Sequence, residues 1–203
     1  MRKFTASFVF VLVFGTFALA QLEPPPLVVP NTELFLGYTF QHADTSGANL
    51  VTVSGVPTNL VNTDSTNLNG VAFEFSHYFH GKFGFTIDVA RGSNSRVDST
   101  GIKYVRTNYL AGPSYRLHQM GFLTPSFHVL AGVDHDSFTI PTTLPSTFNQ
   151  TDLNFAALAG VTLDGNLSRH LAVRLGQVDY LYTHHYGTNQ SSIRYAGGVV
   201  ARF

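Results

Sequence analysis

From Lys82 to Ala90 every second residue is large and apolar. Phe83, Phe85, Ile87 and Val89 alternate with Gly84, Thr86, Asp88 and Ala90. Side chains on an extended strand point to opposite faces in turn, so this segment has one greasy face and one small or polar face. The pattern recurs along the chain. Val71, Phe73 and Phe75 oppose Ala72, Glu74 and Ser76; Val105, Tyr109 and Ala111 oppose Arg106, Asn108 and Gly112; Ile193, Tyr195, Val199 and Phe203 oppose Ser192, Arg194, Gly198 and Arg202. Eight candidate strands follow, at about Leu34–Gln41, Leu68–Tyr78, Lys82–Ala90, Lys103–Arg116, Phe122–Val133, Asp152–Leu163, Leu171–Tyr182 and Ser192–Phe203.

The connections alternate in length. Long polar stretches are expected at Ala43 to Asn67, Arg91 to Gly101, Asp134 to Thr151 and Thr183 to Ser191. Short turns are expected near Phe79-His80-Gly81, at Leu117 to Gly121 and at Asp164 to His170. Long links thus fall on one side of a sheet and short ones on the other, as in outer-membrane barrels with short periplasmic turns. The alternation alone leaves open which face is the inner one. A soluble, lipocalin-like barrel puts the greasy face inside; a membrane barrel puts it outside. Size decides between them, because an eight-strand lumen is only wide enough to be filled by side chains. Gly, Ala, Ser, Thr and a few charges fit there, whereas Phe and Tyr from every strand would overfill it. The expectation is an all-β, eight-stranded antiparallel up-and-down transmembrane β-barrel.

The first residues agree with export. Arg2 and Lys3 precede an apolar run from about Phe8 to Ala18, and Ala18-Leu19-Ala20 forms a small-x-small cleavage site before Gln21. The run falls short of the roughly 20 apolar residues that a spanning helix needs. Residues 1–20 are therefore expected to be a signal peptide, 21–32 a Pro-rich periplasmic leader containing Pro24-Pro25-Pro26, and 33–203 the barrel domain. Removing the signal takes two of 12 basic residues and none of 12 acidic ones, leaving 10 − 12, a net charge near −2. That excludes a nucleic-acid partner. Charged residues make up 12% of the chain, about half the share usual in a soluble domain. There is no cysteine, hence no disulfide framework and no thiolate chemistry.

Two stretches carry a resemblance. One runs from Arg174-Leu175-Gly176-Gln177-Val178-Asp179-Tyr180, through a loop, to Ser192-Ile193-Arg194-Tyr195-Ala196-Gly197-Gly198 and Phe203. It resembles the last hairpin of the small outer-membrane β-barrels, the group of transmembrane domains similar to OmpA and OmpX. Tyr109-Leu110-Ala111-Gly112-Pro113-Ser114-Tyr115 resembles the fourth strand of that group. The resemblance implies location in the outer membrane of a Gram-negative-type bacterium, with both chain ends periplasmic. It also implies that Gly198 and Phe203 belong to a terminal-strand signal read by the barrel-assembly machinery. Ala196 departs from the polar residue usual at the start of that signal.

Glu74, Asp88, Arg106, Arg174 and Arg194 have the parity to face the lumen. Charges in a narrow lumen should be paired. A structural plug of ion pairs that fixes strand register is favoured over a polar gate or narrow conduction path. Asp179 has the opposite parity from Arg174, so it faces the interface or sits beyond a bulge. His184-His185 beside Tyr186 lacks the further ligands a metal needs, so no metal and no cofactor is expected. Ser76 and His77 beside Glu74 invite a hydrolase reading, but adjacent strand residues point to opposite faces and cannot easily form a nucleophile–base pair. The functional expectation is a monomeric structural or surface-interaction barrel without catalysis. It would contact outer-membrane lipid, with an unidentified surface ligand at its loops. The alternatives are a small-solute, porin-like channel and a lipid A-modifying enzyme.

Overall fold

The computed structural model describes residues 29–46, 51–53, 56–58, 64–79, 81–97, 102–140, 148–185 and 187–203. Residues 1–28, which hold the expected signal peptide and most of the expected leader, lie outside the described residues. Ten strands follow in chain order: β1 (Thr32–Asp44), β2 (Val51–Val53), β3 (Val56–Thr58), β4 (Ser65–Phe79), β5 (Phe83–Val97), β6 (Ile102–Arg116), β7 (Leu123–Ile140), β8 (Phe148–Asn166), β9 (Leu171–His185) and β10 (Thr188–Arg202). β2 and β3 form a separate two-stranded hairpin in the first long link. The other eight close into an antiparallel barrel in the order β1-β10-β9-β8-β7-β6-β5-β4. Every neighbour is next in sequence except where β10 meets β1, and there Glu33 faces Arg202 and His42 faces Ile193.

The greasy face is the outer one. Phe73, Phe85, Tyr109 and Tyr195 are all 44% exposed or more, while Glu74, Asp88 and Arg194 on the opposite parity are nearly inaccessible. This is the inverse of a soluble barrel and suits lipid on the outside. The turns at the end holding Thr32 and Phe203 are tight. Gly81 and Gly121 adopt φ of 78° and 60° there, a region open to glycine without steric cost.

Two expectations need correction. Three of the four long links are much shorter than the sequence suggested, because strands run on into them; the first, between β1 and β4, keeps most of its length and holds the β2–β3 hairpin. β7 continues to Ile140 and β8 starts at Phe148, so Asp134 to Ile140 is strand rather than loop. A barrel strand needs about 9–11 residues to span the hydrocarbon; β7 and β8, at 18 and 19 residues, project well past it. Second, four aromatic side chains face inward: Phe35, Tyr78, Tyr104 and Phe138 are at most 3% exposed. Each lies flat against another group instead of filling the lumen alone. Tyr104 stacks on Phe138 at 4.3 Å, Arg116 covers the Tyr78 ring at 3.8 Å, and Arg174 covers Phe35 at 4.3 Å. For Asp179 the sequence left two readings, the interface or a position beyond a bulge, and the structure gives the second, with the side chain facing inward. Arg174 pairs with Gly198 and Gln177 with Ala196, so β9 carries one more residue than β10 across this interval. β8 registers the same extra residue between Leu163 and Asp164. The bulge lies at Leu175-Gly176, and it restores Gln177 and Asp179 to the lumen side.

Candidate functional site

The candidate site is the lumen itself. Strand parity, together with the β9 bulge, aims seven carboxylates and five guanidinium groups inward among the described residues: Glu33, Glu74, Asp88, Asp134, Asp136, Asp164 and Asp179 against Arg106, Arg116, Arg174, Arg194 and Arg202. Each is at most 5% exposed.

The pairs form tiers along the barrel axis. At the end holding the chain termini, Glu33 meets Arg202 Nε at 2.6 Å and Arg116 Nη2 at 2.9 Å. Arg116 also donates to the Pro30 carbonyl at 3.1 Å. Arg202 reaches Asp164 at 3.2 Å and donates to Asn166. In the next tier Arg174 pairs with Asp164 at 2.9 Å and Glu74 at 3.1 Å, and donates to Gln177. Glu74 accepts from Ser76. Above it, Arg194 grips Asp88 through both terminal nitrogens, at 2.8 and 3.0 Å, while its Nε donates to Asp179 at 2.8 Å. His128 and Gln177 also bond to Asp179. Nearest the far mouth, Arg106 donates to Asp136 at 2.8 and 3.0 Å and sits 3.1 Å from Asp134.

These contacts cross the lumen. β6 and β10 are four places apart in the ring of eight and so diametrically opposite. Arg106 on β6 nevertheless donates to Ser192 at 3.0 Å and Gln190 at 2.9 Å on β10. Arg194 on β10 reaches β5, Arg174 on β9 reaches β4, and Arg116 on β6 reaches β1, each three places away. A guanidinium carries five donors in a rigid fork, which suits it to span a gap and satisfy several acceptors at once.

All five lumen residues named from the sequence are thus brought into the network: Glu74 with Arg174, Asp88 with Arg194, and Arg106 with Asp134 and Asp136. The sequence did not single out Glu33, Asp164 or Arg116, it placed Arg202 on the polar face without naming it as a pair, and it left Asp134 and Asp136 in a loop. Gly198 lies opposite Gly37 across the β1–β10 seam, and Phe203 is exposed beside Thr32, with which it exchanges two backbone hydrogen bonds. Ser76 points inward, bonded to Glu74 and Thr86, while His77 on the outer face bonds to Thr32 and packs edge-on against Phe79. They do not form a catalytic pair. His184 is on the outer wall, bonded to Asn189 at 2.8 Å, and Tyr186 lies outside the described residues.

The outer wall near the far mouth has its own pattern. On β1 and β4, Tyr38 bonds to Asn69 and His42 to Asn67; on β9 and β10, Tyr180 bonds to Ser191 and His184 to Asn189. Amphipathic rings with a bonded polar tip belong at a membrane–water boundary.

No protein-family model and no curated protein matches the sequence. Solved structures do match the fold. The attachment invasion locus protein Ail of Yersinia pestis aligns with 85% of this chain and 99% of its own, at 13% identity and a TM-score of 0.59. The same protein in complex with the heparin analogue sucrose octasulfate aligns at 14% identity and a TM-score of 0.57, again over 85% of this chain and 99% of that one. Neisserial surface protein A aligns over 85% of this chain and 97% of its own, at 15% identity and a TM-score of 0.59. Closed eight-strand order, an apolar exterior, a charged interior and these alignments converge: the chain has the fold of the small eight-stranded outer-membrane β-barrels.

Proposed function

We propose that the protein is an outer-membrane barrel with a sealed interior, serving as a rigid anchor that presents its far-mouth strands and links to surface ligands without catalysis. The observation that carries this reading is the guanidinium bridging, above all Arg106 bonded to both β6's neighbour β7 and the opposite strand β10. A hydrated ion has no straight path through a lumen crossed at successive heights by bonded side chains. Strands that outrun the hydrocarbon extend this rigid tube above the lipid, where a partner would meet it.

The test is conductance. The full chain inserted in a planar bilayer should give no steady, large single-channel current. Arg106→Ala combined with Arg194→Ala should raise leakage, since both remove wall-to-wall contacts. Large steady currents from the unmodified protein would replace the anchor reading with the channel reading.

A further inference from the structure

At the far mouth the ladder between β1 and β10 ends at His42 and Ile193. Two residues on, the chain turns across the rim. Asp44 accepts from the Ser46 amide at 2.9 Å and from the Ser46 hydroxyl, the short loop that an aspartate side chain closes with the residue two places on. Its other oxygen accepts from the Ser191 amide on β10 at 3.0 Å, and its own amide donates to Ser192 Oγ at 3.1 Å. Side-chain bonds thus take over where backbone pairing stops. Thr45 is buried, and its amide donates to the Asp64 carbonyl at 2.9 Å, which ties together the two feet of the link between β1 and β4.

The same strap is held from inside the lumen. Gln190 donates to the Ser46 carbonyl at 2.6 Å and accepts from Arg106 Nη2 at 2.9 Å. Ser192 accepts from the Asp44 amide and also, at 3.0 Å, from Arg106 Nη1. Each terminal nitrogen of Arg106 is therefore one side chain away from Asp44–Ser46. Gln190, Ser192 and Arg106 are all buried, and a buried polar group that loses its partner is costly. Neither end of this chain of bonds can shift without disturbing the other.

We propose that Asp44–Ser46 is a coupling strap: the foot of the first link and the Arg106 cluster in the lumen move as one unit, through Gln190 and Ser192. Contiguous hydrogen bonds between packed groups carry such coupling, and it acts in both directions. A partner that displaces the first link is then registered inside the barrel, and a loosened Arg106 frees the link. The inference goes beyond the anchor reading and stands whether or not the lumen conducts.

The full chain is folded in detergent micelles, and hydrogen exchange is followed by NMR at the Ser46 amide outside and at Arg106 Nε–H inside. Arg106→Lys keeps the charge beside Asp134 and Asp136 but loses the fork that reaches Gln190 and Ser192. It should speed exchange at Ser46 about five-fold, the effect of one lost hydrogen bond on a local opening. Asp44→Ala, a change at the surface, should speed exchange at Arg106 Nε–H by a similar factor. In a chain that also carries Gln190→Leu and Ser192→Ala, Asp44→Ala should no longer move Arg106. Arg174 Nε–H, two tiers below, should stay unchanged throughout. Asp44 is half-buried and outside the lumen, so its arm remains if Arg106→Lys fails to assemble. Effects confined to the side of the substitution overturn the strap. So does a response at Arg106 that survives Gln190→Leu with Ser192→Ala. Faster exchange at Arg174 also overturns it, because the whole plug has then loosened.

Discussion

A guanidinium withdrawn from water must satisfy its donors inside the protein or cost several kcal/mol. Arg194 does so with two carboxylates, Asp88 and Asp179, so its truncation leaves both without their guanidinium. Arg194→Ala should therefore destabilise by about 3–5 kcal/mol, read as a lower urea midpoint in detergent micelles. Arg194→Met combined with Asp88→Leu and Asp179→Asn should cost less than the single change, because no buried carboxylate is then left without its guanidinium. Equal losses from both variants would show that the pair is not the source of the effect. Gly160 offers a second test. A Cβ there would land on Asp179 Oδ1 and crowd His128 Nε2. Gly160→Ala should thus cost about 1–3 kcal/mol as an overpacked site, with the His128–Asp179 hydrogen bond as the visible casualty in a histidine NMR spectrum. The same residues explain what was legible in advance. Glu74, Asp88 and Arg106 stand among outward Phe, Ile, Val and Tyr, so their parity is plain. Asp134 and Asp136 alternate with His135 and Ser137, which stand above the lipid and need not be apolar. Alternation fades wherever both faces of a strand meet water, and Asp-His-Asp-Ser then reads as loop.

At the scale of the strand, β9 is the element to probe. Its extra residue is felt by both neighbours, so the bulge belongs to β9 and not to a mismatched partner. Deleting Leu175 removes the extra residue: Arg174 and Gln177 then stand two positions apart, the spacing at which both face the lumen on a regular strand. The variant should keep the difference in electrophoretic mobility between unheated and boiled samples that marks a folded barrel. Loss of that difference would mean that the lumen pairs depend on the bulge itself and not on parity alone. The sequence held the choice between interface and bulge for Asp179 but could not resolve it, since a bulge is defined by a partner strand. The last strand carries a further prediction. Deleting Phe203 removes two backbone hydrogen bonds to Thr32 and the exposed terminal ring, and should lower the yield of assembled protein in cells. Normal assembly would argue against any recognition of that residue.

For the whole molecule the question is depth. Ile87 lies between the two rims of the apolar belt, and Tyr109 lies in the row next to the one that holds Arg91. Arg or Lys at a barrel's midplane costs about 2–4 kcal/mol, falling to about 0–1 near the interface. Ile87→Arg should therefore be much more damaging than Tyr109→Arg in lipid vesicles, as measured by unfolding midpoints. Equal costs would contradict the assignment of the belt. Strand count and closure were readable because eight alternating segments admit few other arrangements. The β2–β3 hairpin was not, since three-residue strands in a Thr-rich, Asn-rich stretch carry no periodic signal.

Consider finally the seam between β1 and β10. Gly37 and Gly198 face each other there, and a Cβ on Gly37 would run into the Phe35 ring, while one on Gly198 would strike the Leu36 carbonyl. The partners Glu33 and Arg202 are 169 residues apart. Nothing can pair with β1 on that side until β10 is in place, and contacts so distant in sequence form slowly. Until then the sheet has two open edges, each able to recruit the strand of another chain. Time is thus built into this architecture: between arrival and closure the chain is sticky at both ends of the sheet, and its safe delivery depends on keeping those two edges apart from everything except each other.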